Sequence, residues 1–310
     1  MQFFNYMMTA VGQVSILAVL VVVGYLCDKT KLFTQAVSKA CNDLLFYIVT
    51  PAMIIHSFLN VEFNPQNGRS FLGMFAIMAV FHAVGCLLIL PLYKNSGENR
   101  PLFQYASMYG NVGYMGLPLA KAVAGDMGVF FCSAAVAVFN IFAFSHGIHL
   151  MRRQKEGLQL QKLLVNPGTI GILVGLPLFL LRVKLPVLVA EPISYLGSLN
   201  TPMAMLMFGT YLANTDLLGM VKQKENYLVA AIKLLLLPLA TIGVLYAAGV
   251  RGPLLLTCAV VASAPTANNT VMFAAKYDRD TGIASKASGF TSILAIVTMP
   301  FCIALADLIG

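Results

Sequence analysis

The sequence predicts an all-α integral membrane protein of ten transmembrane helices in two inverted five-helix repeats, with crossed, broken helices four and nine. Three observations lead there. Of its 310 residues 59% are hydrophobic and 10% charged, against roughly 25% charged in soluble domains, and the mean hydropathy is +0.81. The apolar residues fall into runs of about 20, the length of a bilayer-spanning helix. Prolines also recur at a nearly constant offset between the two halves of the chain.

The spans follow in order from apolar windows between charged or turn-rich gaps. The first runs from about Met7 to Cys27 and stops at Asp28-Lys29-Thr30-Lys31. The second covers about Ala36 to Leu59, the third Ser70 to Tyr93, the fourth Pro101 to Ala124 and the fifth Met127 to Leu150. After the polar stretch Met151 to Gln161, the sixth runs from Pro167 to Leu181 and the seventh from Pro192 to Ala213. Tyr227 to Gly249, Pro253 to Lys276 and Ser285 to Ile309 complete the set. This divides the chain into a first repeat, 1–150, and a second, 151–310, leaving no separate soluble domain.

Helices rather than a barrel suit these long runs, since in lipid each backbone polar group must be satisfied internally. A cytosolic enzyme is excluded. The net charge of +8 and a pI near 9.2 point to cytoplasmic Lys and Arg rather than nucleic acid. With the N-terminus outside, fourteen of the 20 basic residues fall in loops on the cytoplasmic side and five on the other, with Lys233 inside a helix. Both termini are therefore expected outside a cytoplasmic membrane, and the compact length fits a bacterial protein. The first segment, with no basic n-region, reads as a retained helix. The six cysteines form no CxxC pair and read as reduced core residues. No metal or cofactor motif and no catalytic arrangement is present.

The repeat rests on two proline pairs. Thr50-Pro51-Ala52-Met53 resembles Thr201-Pro202-Met203-Ala204 at an offset of 151, and Pro118 and Pro265 are 147 apart. Because five is odd, a duplicated half enters the membrane inverted, which is a transporter architecture.

Two segments are interrupted at mid-membrane. The fourth contains Tyr109-Gly110-Asn111-Val112-Gly113-Tyr114-Met115-Gly116-Leu117-Pro118, and the ninth Ser263-Ala264-Pro265-Thr266-Ala267-Asn268-Asn269-Thr270. Pro removes a donor and Gly leaves helical angles cheaply, so each should split into half-helices. Paired breaks of this kind mark the substrate site of a carrier. Half-helix N-termini carry unpaired N–H groups and about half a positive charge, enough to attract an anion with no Lys or Arg there. Asn111, Asn268 and Asn269 are the first candidates to orient a carboxylate, with Gly113, Tyr114, Pro118, Pro265 and Thr266 around them. The amides alternatively only satisfy carbonyls freed by the breaks. Tyr109 either lines the cavity or packs.

Neither break contains Asp or Glu, which argues against coupling through a carboxylate at the crossing. Four other polar residues are candidates for coupling or pH sensing. His82 relays a proton or simply bonds a carbonyl; Asp43 and Lys233 each lie about two turns from the cytoplasmic face, where they pair or Lys233 snorkels; Asn140 faces the cavity or another helix. His146 and His149 read as structural.

The string from Asn111 to Leu119, the later Ala264-Pro265-Thr266-Ala267-Asn268-Asn269 and the Thr-Pro kinks resemble the auxin efflux carrier family, which includes bacterial malate or malonate permease-like proteins and plant PIN-FORMED carriers. The likeness covers the whole chain. It implies a fold like that of the bile acid/sodium symporters and sodium/proton antiporters. Helices one, two, six and seven would form a scaffold, and three to five and eight to ten a transport domain moving as an elevator. It also implies an organic carboxylate bound beside the crossing prolines. Unlike the plant members, the chain joins its halves with only about 16 residues rather than a long insert. The expected partners are a small organic anion, the lipid bilayer and, through the scaffold helices, a second copy; an anion channel or a sensor that moves nothing remains the alternative.

Overall fold

Residues 2–152 and 167–310 are described in this computed structural model, and every regular element among them is helical. The helices are α1 (Gln2–Lys29), α2 (35–60), α3 (Pro65–Ile89), α4 (Arg100–Met108), α5 (112–124), α6 (126–151), α7 (Pro167–Leu180), α8 (Val187–Ser198), α9 (Asn200–Ala213), α10 (Leu217–Lys222), α11 (224–247), α12 (Gly252–Ser263), α13 (Asn269–Lys276) and α14 (Thr281–Ile309). Among the described residues, five stretches are long and apolar enough to cross a membrane: 36–60, 65–89, 112–151, 224–247 and 281–309. The longest is in fact a hairpin, because Gly125 takes φ +60° and turns α5 back into α6. That left-handed angle is open to glycine at no steric cost.

The ten expected segments coincide with helices or pairs of helices whose ends are shifted. Asn64 caps α3, accepting from Asn67 N at 2.7 Å, and Asp280 caps α14, accepting from Ile283 N at 3.0 Å. Both helices therefore start several residues before the apolar windows do, since capping residues are polar. The seventh segment begins at Val187 rather than Pro192 and is two helices, α8 and α9, meeting at Leu199. The polar joint between the halves lies mostly outside the described residues.

Three π turns have a common cause. Leu45–Val49, Val112–Gly116 and Ala231–Leu236 each end two residues before a proline, at Pro51, Pro118 and Pro238. A proline ring clashes with the carbonyl four residues earlier and offers it no donor. That carbonyl falls inside each π turn, where widening the helix relieves the clash.

α1 packs along α9 and α14, the second half of α2 against α7 and α8, and α12 against 117–142 and α14. The α1/α9 approach is unusually close: a Cβ on Gly24 would lie 2.0 Å from the Leu206 carbonyl oxygen, and one on Gly209 2.1 Å from that of Val21. Small residues permit such backbone contact between membrane helices. Alternate loops gather at opposite ends. At one, Arg279 donates to the carbonyls of Met151 (2.8 Å) and Glu98 (2.7 Å), and Asn214 donates to Asp28 at 2.8 Å. At the other, Asp126 meets Asn60 and Lys121, and Arg182 lies 4.8 Å from the Phe63 ring centre.

Candidate functional site: a crossing of two broken helices

The chain leaves helical angles between α4 and α5, where Tyr109 is extended (φ −87°, ψ 112°), and again between α12 and α13, where Ala264 is (φ −57°, ψ 134°). The two linkers pair through an antiparallel bridge of Gly110 with Thr266. Asn111 N donates to the Pro265 carbonyl at 2.7 Å, and Ala267 N to that of Tyr109 at 2.9 Å. Each break thus satisfies backbone groups that the other exposes, which extended chain inside a membrane requires. Thr266 is fully buried; its Oγ1 donates to the Ala106 carbonyl at 2.8 Å, closing the end of α4, and its N–H donates to Thr291 Oγ1 at 3.2 Å.

The interruption of the fourth segment therefore lies at residues 109–111, not at Pro118. Pro118 opens the regular α-helix after a π turn, because its ring is accommodated by widening rather than by breaking. Pro265, in contrast, lies within its break and contributes the bridge carbonyl.

The two asparagines head the half-helices that leave the crossing. Asn111 is the N-cap of α5: its Oδ1 accepts from Tyr114 N at 3.2 Å, while its buried Nδ2 has no partner. Asn268 is the N-cap of α13, and its Oδ1 is also buried without a partner. Asn269 follows it, half-buried, and the hydroxyl of Thr270 is a further buried group without a partner. Unsatisfied buried polar atoms are rare in native folds and call for an explanation. These three lie where two helix N-termini, with their partial positive charge, converge.

Asn111, Tyr114 and Asn268 line two cavities at once. One, of about 710 Å³, continues past Thr210 and Asn214 to Asp28 and Lys31 at the end that carries Arg279's contacts. The other, of about 320 Å³, lies between α2, α7 and α9 on one side and α5, α6 and α13 on the other, and includes Gly113, Asn140 and Asn269. Tyr114 stacks on Phe46 with ring centres 6.4 Å apart. Asn140 Nδ2 donates to Thr169 at 3.5 Å.

The remaining candidates are placed as follows. His82 is buried on α3, with Nδ1 donating to the Met78 carbonyl at 2.8 Å and its ring against Phe142 and Tyr109. Tyr109 Oη bonds the Phe142 carbonyl (3.1 Å) and His146 (2.9 Å), and His149 meets Arg152. Asp43 is exposed, whereas Lys233 is fully buried and donates to the Ala262 carbonyl at 3.1 Å, so the two do not pair. The expectation of a crossing without Lys or Arg is corrected too. A Cβ on Gly110 would stand only 2.9 Å from Lys233 Nζ. α11 begins at Lys224, so Lys233 lies nine residues in, about 14 Å along the axis and close to half of a core about 30 Å thick.

Two residues of the smaller cavity were not singled out in the sequence. Asn200 Nδ2 donates to Thr50 Oγ1 at 2.9 Å across the α2/α9 gap, and its Oδ1 has no partner. Their signal was the repeated Thr-Pro kink, which both adjoin. Asn42 and Asn214 of the larger cavity carry no sequence signal.

A stack of apolar helices with two breaks, joined to each other and open to polar cavities, defines a multi-pass membrane protein. The sequence pattern of membrane transport proteins matches residues 9–303. The chain belongs to this membrane transport protein family, the auxin efflux carriers, and is a transporter rather than an enzyme. It is 25% identical over 279 residues to a Rhizobium meliloti (strain 1021) protein named "Putative malonate transporter", with 83% of each chain covered. It is 24% identical over 298 residues to an "Uncharacterized transporter" of Methanothermobacter thermautotrophicus, covering 91% of this chain and 93% of the relative. A similarly named protein of Methanocaldococcus jannaschii is 24% identical over 212 residues, covering 64% and 68%.

Proposed function

We propose that the protein carries a small organic carboxylate, of the malonate or malate class, across the cytoplasmic membrane by alternating access. The observation that carries this reading is the unpartnered buried Nδ2 donor of Asn111, an N-cap that lies beside a second N-cap, Asn268, at two converging helix N-termini that open on a 710 Å³ cavity. Backbone N–H groups and dipoles at helix starts favour an anion, and the free Asn111 Nδ2 is a donor suited to a carboxylate oxygen. The relative named for malonate transport supports the same substrate class.

The inverted repeat explains several pairings. α1 packs on α9 while α2 packs on α7, the exchange expected of a two-fold between segments one and six and segments two and seven. Lys233 follows His82 by 151 residues, the offset of Pro202 from Pro51. In this reading α1, α2 and α7 to α9 form the scaffold, and α3 to α6 and α11 to α14 form the moving body that carries the crossing. The smaller cavity, with Asn140, Gly113 and Asn269 facing Thr50 and Asn200, lies along the sliding surface. The larger one opens toward the end rich in Lys and Arg, which the positive-inside rule assigns to the cytoplasm, leaving both termini outside.

Radiolabelled uptake into proteoliposomes tests this. Malonate or malate should accumulate, and Asn111→Ala and Asn268→Ala should each lower uptake at least about tenfold, the scale of losing one hydrogen bond to a charged group. Unchanged affinity and flux in both variants would contradict the assignment.

A further inference from the structure

Behind the crossing lies a cation that neither cavity exposes. Lys233 is 1% exposed, and its Nζ stands 5.8 Å from the Phe81 ring centre. It donates to the Ala262 carbonyl at the end of α12. Among the described residues no carboxylate lies within 4.0 Å of it. Of the elements packed on its turn, α12 has no charged residue, α4 has Arg100, and α14 has Lys286 near one end and Asp307 near the other. On the neighbouring α3 the nearest titratable groups in sequence to Phe81 are His82 and Cys86. The carbonyl end of a helix offers only about half a negative charge, so the buried ammonium is incompletely compensated. Gly110, whose missing side chain alone leaves room for Nζ, belongs to the wall of the smaller cavity beside Asn111.

We infer that Lys233 is the counter-charge of the transported anion, acting across Gly110, and that it makes the carrier select dianions over monoanions. The inference rests on the anion reading above and adds the residue that sets charge preference. A hydrogen bond from Asn111 is made to one carboxylate whatever else the substrate bears. A Coulomb attraction scales with total substrate charge and is weakly screened in a low-dielectric interior. The two contributions are therefore separable by substrate.

Calorimetric binding of lactate and malonate to the purified full-length protein, at pH 7.5 and low salt, provides the test. Lys233→Met should weaken lactate about tenfold and malonate about a hundredfold, because doubling the ligand charge doubles the lost Coulomb energy. Gly110→Ala, which pushes a methyl against Nζ, should weaken malonate more than lactate and add nothing further on top of Lys233→Met. If Lys233→Met does not fold, Gly110→Ala alone decides by the same comparison. Equal fold-losses for the two acids in a folded variant overturn the inference while leaving the anion site intact. Binding of neither acid by the wild-type protein overturns both.

Discussion

Asn111 performs two tasks with one amide. Its Oδ1 holds Tyr114 N in the first turn of α5, and its Nδ2 is left as a buried donor. Substitutions separate the tasks. Asn111→Asp keeps the acceptor and turns the donor into a negative charge, so it should melt close to wild type in detergent yet lose malonate binding. Asn111→Ala removes both, costing about 1 kcal/mol for the cap and about tenfold in affinity. Thermal melts beside calorimetry check the pair, and an Asp variant that binds like wild type would refute the donor role. At this scale the sequence was informative where polar residues interrupt apolar ones: Asn111, Asn268 and Asn269 stand out inside runs that should be unbroken. It marks Lys233 as a polar residue inside a span but not its place at the crossing, which depends on how deep α11 begins and on which backbone lies beside it. No spacing along the chain reports that Gly110 leaves the ammonium its room.

Breaks and bends in these helices have different origins, although prolines mark both. Pro51, Pro118 and Pro238 each follow a π turn and leave the helix continuous, whereas the true interruptions are the linkers that find a bridging partner, Gly110 and Thr266. The sequence displays the proline and the glycines of the fourth segment but not the opposite linker, so by itself it points to Pro118 as part of the break. Pro118→Ala restores an N–H donor and allows Val112–Gly116 to tighten into α-helix. That turns the start of α5 relative to the crossing, and malonate uptake should fall at least about tenfold with melting temperature unchanged or higher. The α1/α9 approach makes a different demand. Gly209→Val places a side chain 2.1 Å from the Val21 carbonyl oxygen and should destabilise the protein by about 1–3 kcal/mol, seen as a drop of several degrees in melting temperature; an unchanged melt would show that the two helices can separate without cost.

For the molecule as a whole, composition alone dictated a membrane protein, and hydropathy placed its helices to within a few residues. The loops sort to two ends, with Arg279 tying Met151 and Glu98 at one and Asp126 tying Asn60 and Lys121 at the other. What the sequence could not supply is the state: a large cavity open at one end only becomes visible once the packing of α2, α9, α5 and α13 is known. We propose that an anion occupies the crossing and is carried from that cavity to the far side. Charge movement from proteoliposomes on a solid-supported membrane, driven by a malonate step, tests it most directly. The wild-type protein should give a malonate-dependent current that disappears when Asn111→Ala and Asn268→Ala are combined in a folded carrier. A current of wild-type size in that double variant would contradict it.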